Sequence, residues 1–153
     1  MKIAVNKLLH TVFLAVLLFV NIDVFSQEAK TVPYSGDDLH YFGYVMLYGD
    51  TTAWVNVKSD DVFHLSKALF FRSVKSLSFI QNDDLYFFGS SLIGGDKGQL
   101  EKILNDDLYY VGISLFTKDA GALENIKSDD FYYLGKALLL KDGNYLDQIS
   151  TIK

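Results

Sequence analysis

Residues 106–128 read DDLYYVGISLFTKDAGALENIKS, and residues 129–151 read DDFYYLGKALLLKDGNYLDQIST. Both stretches begin with two aspartates, and the same pair recurs upstream at a constant spacing. The pairs begin at residues 37, 60, 83, 106 and 129, which are 23 residues apart. Self-similarity at a fixed short period predicts a repeat architecture. We therefore divide residues 37–153 into five repeats, unit 1 to unit 5, and number the positions of each unit from its first aspartate.

Apolar side chains follow a helical spacing in every unit. Positions 3, 6 and 10 are apolar and position 7 is Gly or Ser, and these four positions share one face of an α-helix. Positions 18 and 21 are also apolar, which predicts a second, shorter helix. Turn-forming residues such as Gly94, Gly95 and Asp96 lie between the two. The sequence thus predicts an all-α fold, a short α-solenoid of five helix-turn-helix repeats.

A β-solenoid is the alternative fold, because runs such as LYYVGISLF (108–116) are rich in Tyr, Val and Phe. Odd and even positions of these runs are both apolar, so the alternation typical of a strand is missing. Glycine at position 7 costs a helix about 1 kcal/mol relative to alanine. A small residue on the buried face nevertheless permits close approach of a neighbouring helix, which favours the α-helical interpretation.

Residues at the unit boundaries predict helix caps. Ser or Asn precedes the aspartate pair of units 2 to 5, and aspartates suit the first turn of a helix. These capping residues are Ser59, Asn82, Asn105 and Ser128. Unit 5 keeps its apolar residues Leu146 and Ile149, and a linear stack would leave this end uncovered. We expect such an end to pair with a second copy or to dock on a larger partner.

Residues 1–26 have the features of a secretory signal peptide. Two lysines precede the apolar stretch Leu8–Val20, and Val24 and Ser26 suit cleavage after Ser26. At about 1.5 Å per residue, this stretch is too short for a hydrocarbon core about 30 Å thick. We therefore expect an exported protein, in the periplasm, on the cell surface or outside the cell, with no stable membrane span after cleavage. Residues 27–36 are then a linker, and residues 37–153 form the repeat domain.

Composition excludes several classes of protein. The 153 residues include no Cys, 14 basic and 19 acidic side chains, for a net charge of −5. The lack of Cys rules out disulfides and Cys-based zinc sites, and the acidic balance argues against a nucleic-acid partner. The sequence shows no phosphate-binding loop, dinucleotide fingerprint or Ser-His-Asp arrangement. We expect a non-enzymatic protein without catalytic residues, metal site or cofactor.

Each unit carries two aromatic or imidazole rings, at positions 4 and 5. The helical wheel places position 5 away from the apolar stripe, so stacked units predict a column of rings along one face. The column consists of Tyr41, His64, Phe87, Tyr110 and Tyr133. Rings give large, rigid contact areas, which predicts a protein or peptide interaction module. A carbohydrate or cell-wall binder that uses the same rings and nearby carboxylates is the alternative, and rings that merely pack between units fit the pattern as well.

Histidines and aspartates have structural interpretations too. His40 and His64 stand where other units have Tyr or Phe, so we interpret them as aromatic substitutes rather than metal ligands.

Further aspartates stand at position 14 of four units: Asp50, Asp96, Asp119 and Asp142. No calcium-binding loop motif occurs, and we interpret the acidic positions as helix caps. The clearest departures from the consensus lie in units 1 and 2: Trp54, Ser66, Arg72 and Ser73.

Overall fold

The computed structural model describes residues 34–150, and this part of the chain contains helices and no strand. The long α-helices span Gly36–Tyr48, Asp60–Phe71, Asp83–Gly94, Asp106–Thr117 and Asp129–Leu140. Short helical segments follow them at Thr51–Asn56, Val74–Leu77, Lys97–Lys102, Ala120–Asn125 and Gly143–Gln148, and all but the second are 3₁₀-helices. The all-α prediction is confirmed, and the β-solenoid alternative is wrong for the described residues. The predicted signal peptide and most of the predicted linker lie outside them.

The long helices begin at the predicted caps. Side chains of Ser59, Asn82 and Asn105 each accept a hydrogen bond from the backbone N–H three residues later, at 3.4, 3.0 and 2.8 Å. Ser128 occupies the same N-cap position but its side chain makes no capping hydrogen bond. Unit 1 differs, because its helix begins one residue earlier with a capping box between Ser35 and Asp38. Three of the four predicted caps are therefore confirmed as side-chain acceptors.

The second aspartate of each pair, at the start of a long helix, accepts hydrogen bonds from the last residues of the same unit. Asp61 accepts hydrogen bonds from the backbone N–H groups of Gln81 and Asn82, at 2.8 and 3.1 Å. The equivalent aspartates Asp38, Asp84 and Asp107 accept from the same two positions of their units, and Asp130 accepts from Ser150. In units 1 to 4 the acceptor lies at the start of one long helix and the donors lie just before the next, so each of these carboxylates fixes the spacing between consecutive long helices.

Aspartates at position 14 cap the short helices. Each accepts a hydrogen bond from the backbone N–H two residues later, at 2.9 to 3.0 Å: Asp50, Asp96, Asp119 and Asp142. In unit 2 the hydroxyl of Ser73 takes this role and accepts from Ser76. Capping thus accounts for the aspartates at position 14, as the sequence indicates, whereas the second aspartate of each pair bonds the end of its unit.

The long helices close into a ring. Each one packs against the long helix of the preceding and of the following unit, and the helix of unit 1 also packs against the long helix and the 3₁₀-helix of unit 5. The expectation of an uncovered end is therefore wrong. Leu146 and Ile149, which a linear stack would expose, are 2% and 4% exposed because unit 1 covers them.

Glycine at position 7 makes room for a leucine of the preceding unit. A Cβ atom on Gly89 would lie 2.6 Å from the side chain of Leu77, and one on Gly112 would lie 2.7 Å from Leu100. Gly135 stands in the same relation to Leu123 at 2.6 Å, and Gly43 to Leu146 at 2.5 Å. The last of these contacts joins unit 5 to unit 1, so the closing junction repeats the fit of the regular junctions. The predicted role of the small residue in close helix approach is confirmed.

The buried face differs from the predicted stripe at one position. Position 9 is fully buried in every unit, at Val45, Ala68, Ser91, Ser114 and Ala137. Position 10, which the spacing assigns to the buried stripe, is only partly buried. In a closed ring each long helix has two lateral neighbours, and positions 7 and 9 lie about 160° apart on the helix. Both flanks of the helix are therefore buried, which the sequence pattern of a single stripe does not show.

Tyr34 packs beside the N-terminal ends of the helices. Its ring lies 5.7 Å from that of Phe131 in unit 5, in an edge-to-face arrangement. Burial raises the pKa of the Tyr34 hydroxyl, and the negative charges of Asp84 and Asp107 raise it further. Tyr34, just before the N-cap of the first helix, thus packs against unit 5.

Candidate interaction surface

The predicted ring column is half-buried along its length, at Tyr41, His64, Phe87, Tyr110 and Tyr133. Phe87 and Tyr133 pack against the hydrophobic core. His64 stacks on Phe79 of its own unit with ring centroids 5.0 Å apart, and the ammonium of Lys102 lies 5.2 Å from the Phe87 centroid. At position 4, Tyr86 is exposed. The expectation that position 5 lies away from the apolar stripe is therefore met only in part.

Both described histidines have structural partners. His40 Nδ1 lies 3.1 Å from the carbonyl oxygen of Leu146 and donates its N–H across the closing junction. His64 is the ring that stacks on Phe79. No group of three or more His, Cys, Asp or Glu side chains within residues 34–150 is placed to hold a metal ion.

A second aromatic group, which the ring column does not include, lies at the junction of units 1 and 2. Trp54 is surrounded by Phe63, Phe70 and Phe71, whose centroids lie 6.1, 5.7 and 5.9 Å from that of the indole. We call these four residues the Trp54 cluster. Trp54 comes from the 3₁₀-helix of unit 1, whereas the phenylalanines come from the long helix of unit 2.

A side-chain hydrogen bond holds the indole in place. Trp54 Nε1 donates to the hydroxyl of Ser66 at 2.8 Å. Trp54 stands at position 18, where the other units have leucine, and Ser66 stands at position 7, where they have glycine. Two departures from the consensus therefore meet at one junction and compensate each other. Ser66 is fully buried, so its hydroxyl depends on the indole for a partner outside its own helix.

The outer rings of the Trp54 cluster are exposed. Phe71 is 61% exposed and Phe70 is 37% exposed, and Val74 just after them is 68% exposed. Apolar side chains normally leave solvent on folding, and several that remain exposed in one place mark an interaction site. A tryptophan held by a hydrogen bond beside exposed phenylalanines gives a rigid apolar surface of the type found at protein interfaces.

Three basic side chains lie on, or just after, the long helix that carries the phenylalanines of this surface. The Lys67 ammonium lies 4.4 Å from the Phe63 centroid and 5.6 Å from the Trp54 centroid. Arg72 ends the long helix of unit 2, and its Nη2 donates to the carbonyl oxygen of Ile93 in unit 3 at 3.3 Å. Lys75 follows in the short helix and is exposed. Residues 62–82 contain these three cations and no Asp or Glu.

Sequence reasoning singles out Trp54, Ser66 and Arg72, but not the contact of Trp54 with Ser66 or the exposed Phe70 and Phe71. Trp54 and Ser66 both stand out as departures from the consensus, yet they are 12 residues apart in different units. The structure shows that position 18 of one unit meets position 7 of the next, and this pairing explains why a large residue at the first accompanies a changed residue at the second.

Comparisons of the chain with protein-family models, with curated proteins and with solved structures find no match. No helix within the described part is both long enough and apolar enough to cross a membrane.

Proposed function

We propose that this chain is an exported, non-enzymatic module that binds a protein or peptide, and that the Trp54 cluster is its contact surface. Its scaffold is a closed ring of five 23-residue helical repeats. The observation that carries the proposal is the exposure of Phe71 and Phe70 beside an indole that a hydrogen bond holds in place. Clustered aromatic side chains of this type supply most of the binding energy at protein interfaces.

The Trp54 cluster suits this role better than the ring column. Each ring at position 5 is half-buried and packs partly within its own unit, whereas Phe71 is mostly exposed. A partner that bound the column would gain less new apolar contact for each ring. The ring column is therefore the weaker candidate for the contact surface.

Carboxylates support a non-enzymatic role. A hydrolase would need acidic side chains that are free to exchange protons with a substrate. Asp61, Asp84 and Asp107 instead accept two backbone hydrogen bonds each and tie consecutive helices together. Their oxygen atoms therefore serve the structure of the ring.

Affinity capture tests the proposal with one variant and one matched control. The protein and its Phe71→Ala and Phe79→Ala variants are immobilised and exposed to envelope and culture-medium extracts. Phe79 is the control because it is another exposed phenylalanine of unit 2, at 55% against 61% for Phe71, and it lies outside the cluster. We expect one protein to be retained by the wild type and by Phe79→Ala, and lost by Phe71→Ala.

The retained protein is then purified and its affinity for each bait is measured. Phe71→Ala should weaken binding about tenfold or more, as loss of an aromatic anchor does at protein interfaces. Equal affinity for all three baits would contradict the Trp54 cluster as the contact surface. Loss of binding only in Phe79→Ala would move the site to His64 and the ring column, and retention of soluble glycans instead of protein would favour a carbohydrate binder.

A further inference from the structure

We propose that the partner segment that occupies the Trp54 cluster is acidic, a peptide stretch with Asp or Glu next to apolar anchor residues. This inference rests on the proposed function and specifies its partner. The apolar rings alone would accept many segments, but the charged side chains of residues 62–82, which include the three phenylalanines, are all basic.

Unit 2 is the basic part of an acidic protein. Lys67, Arg72 and Lys75 lie within residues 62–82, which lack acidic residues, whereas the whole chain carries a net charge of −5. The other four units place an aspartate at position 14, and unit 2 has Ser73 there. Since Ser73 still caps the short helix, the exchange removes a negative charge beside the Trp54 cluster without loss of the cap.

Within residues 34–150, the three cations form no ion pair with an acidic side chain. The ion pairs of the described residues are Lys58 with Asp37 and Lys127 with Asp106. Both involve the first aspartate of a unit, at the N-terminal end of a long helix, whereas Arg72 and Lys75 follow the C-terminal end of one. The positive charge beside the Trp54 cluster is thus available to an outside carboxylate.

The geometry of Arg72 orients part of this charge. Its backbone has φ 51°, the left-handed helix end that Lys118 and Lys141 also adopt at this position, so the side chain itself is what distinguishes Arg72. One N–H of the guanidinium donates to Ile93 and braces the side chain against unit 3. A guanidinium has five N–H donors, so the braced group still offers donors to a carboxylate.

A short acidic segment fits this charge pattern better than an extended anionic surface. Charges interact over about 8–10 Å at physiological salt. A peptide that binds at the Trp54 cluster therefore interacts mainly with charges near unit 2, in which the three cations outnumber Asp60 and Asp61. A lipid bilayer or a nucleic acid would also face the acidic remainder of the protein and would be repelled by it.

Titration of Trp54 fluorescence tests the inference, because Trp54 is the single tryptophan of the chain. The probes are three short synthetic peptides with the same Leu and Phe anchors, in which the remaining positions are Glu, Gln or Lys. The Glu peptide should bind about tenfold more tightly than the Gln peptide at low salt, and added salt should reduce the difference. The Lys peptide should bind most weakly.

Two charge-swap variants serve as a matched pair. Lys75→Glu adds negative charge at the Trp54 cluster, and Lys97→Glu makes the same change in the first turn of the short helix of unit 3. Both side chains are exposed, so both variants should fold normally by circular dichroism. Lys75→Glu should weaken binding of the Glu peptide about three- to tenfold, and Lys97→Glu should change it less than about twofold.

Several outcomes would overturn the inference. They are equal binding of the Glu and Gln peptides, tighter binding of the Lys peptide, or no change in Trp54 emission with any peptide. A shift of the Trp54 emission with vesicles that contain phosphatidylglycerol would assign the surface to a membrane. A shift that depends on protein concentration alone would assign it to a second copy. The proposed function would survive equal binding of the Glu and Gln peptides, provided that Phe71→Ala still loses the captured protein.

Discussion

The junction between units 1 and 2 differs from the other described junctions of the ring. At four junctions a leucine at position 18 enters the space beside a glycine at position 7 and is fully or almost fully buried. At the junction of units 1 and 2, a tryptophan hydrogen-bonded to a serine takes their place, and phenylalanines around it stay exposed. The same two positions therefore build the scaffold in four places and a surface in the fifth. Repetition builds the ring, and one matched exchange builds the proposed contact surface.

The largest effect is expected at the junction that closes the ring. Leu146→Ala removes a leucine that is 2% exposed and lies beside Gly43. Large-to-small changes of this kind lower the free energy of unfolding by about 2–5 kcal/mol. Urea denaturation followed by circular dichroism measures the change. A loss below about 0.5 kcal/mol would mean that units 1 and 5 do not pack against each other.

A larger side chain at a regular junction should cause the second-largest loss of stability. In Gly112→Ala, the new Cβ would meet the side chains of Leu100 and Phe88, at 2.7 and 3.4 Å. Overpacking should lower the free energy of unfolding by about 1–3 kcal/mol, although alanine favours helix. Gly94→Ala is the control, because no atom lies within 4 Å of its Cβ position, and it should be neutral or stabilising. Equal effects of the two changes in chemical denaturation would refute the close fit.

A double-mutant cycle converts the exceptional junction into a regular one. Trp54→Leu alone removes the partner of the buried Ser66 hydroxyl, which should cost about 1–3 kcal/mol. Trp54→Leu together with Ser66→Gly restores the pair found at the other junctions, and the second change should recover part of the loss. Urea denaturation of the four proteins gives the coupling energy. Strict additivity would show that the two residues do not act as a pair.

Two buried serines provide a smaller test. Ser66→Ala loses the hydrogen bond from Trp54 and should lower the free energy of unfolding by about 1 kcal/mol. The hydroxyl of Ser91 is equally buried and has no hydrogen-bond partner among the described residues, so Ser91→Ala should be neutral or stabilising. Thermal unfolding of both variants checks the difference. The reverse order of the two effects would contradict the assigned hydrogen bond.

Low pH should lower the stability of the protein through protonation of Asp38, in the first turn of the first long helix. Burial alone would raise the pKa of this carboxyl. Four hydrogen bonds outweigh that effect and hold the pKa below its usual value. They come from the backbone N–H groups of Ser35, Ser59 and Lys58 and from the Ser35 hydroxyl. The charged form is thus favoured in the folded protein. Its stabilisation is fully present above about pH 4, the usual Asp pKa, and disappears as pH falls through the lower folded pKa.

Asp38→Asn checks this pH dependence. Wild type should be more stable than the variant at neutral pH, and the difference should shrink as pH falls below about 4. Denaturation curves at several pH values give the difference. A constant difference across this range would show that the charge of Asp38 does not contribute to stability.

The sequence was sufficient for the local structure of this fold. The aspartate pairs, the cap residues and the spacing of positions 3, 6 and 7 predicted long helices whose starts lie within a residue of those observed. The role of Gly89 and its equivalents in close packing was also predicted, because a small residue that recurs on a buried helix face leaves room for a neighbouring side chain.

Ring closure could not be predicted in the same way. Whether five units form an open rod or a ring depends on the small rotation from each unit to the next, which residue spacing does not encode. Closure in turn buries position 9 and covers Leu146, so the burial of these residues could not be predicted without it. For the site, Trp54 and Ser66 were both noticed, but their contact follows only from the stacking geometry of neighbouring units.

The most direct test of the account is the affinity of the Trp54→Leu, Ser66→Gly double variant for the captured partner. This variant should keep the helical content of the wild type and unfold in one cooperative transition, because its altered junction matches the other four. We predict that it binds the partner at least about tenfold more weakly than the wild type does. Wild-type affinity in this well-folded variant would contradict the claim that the exceptional junction is the binding surface.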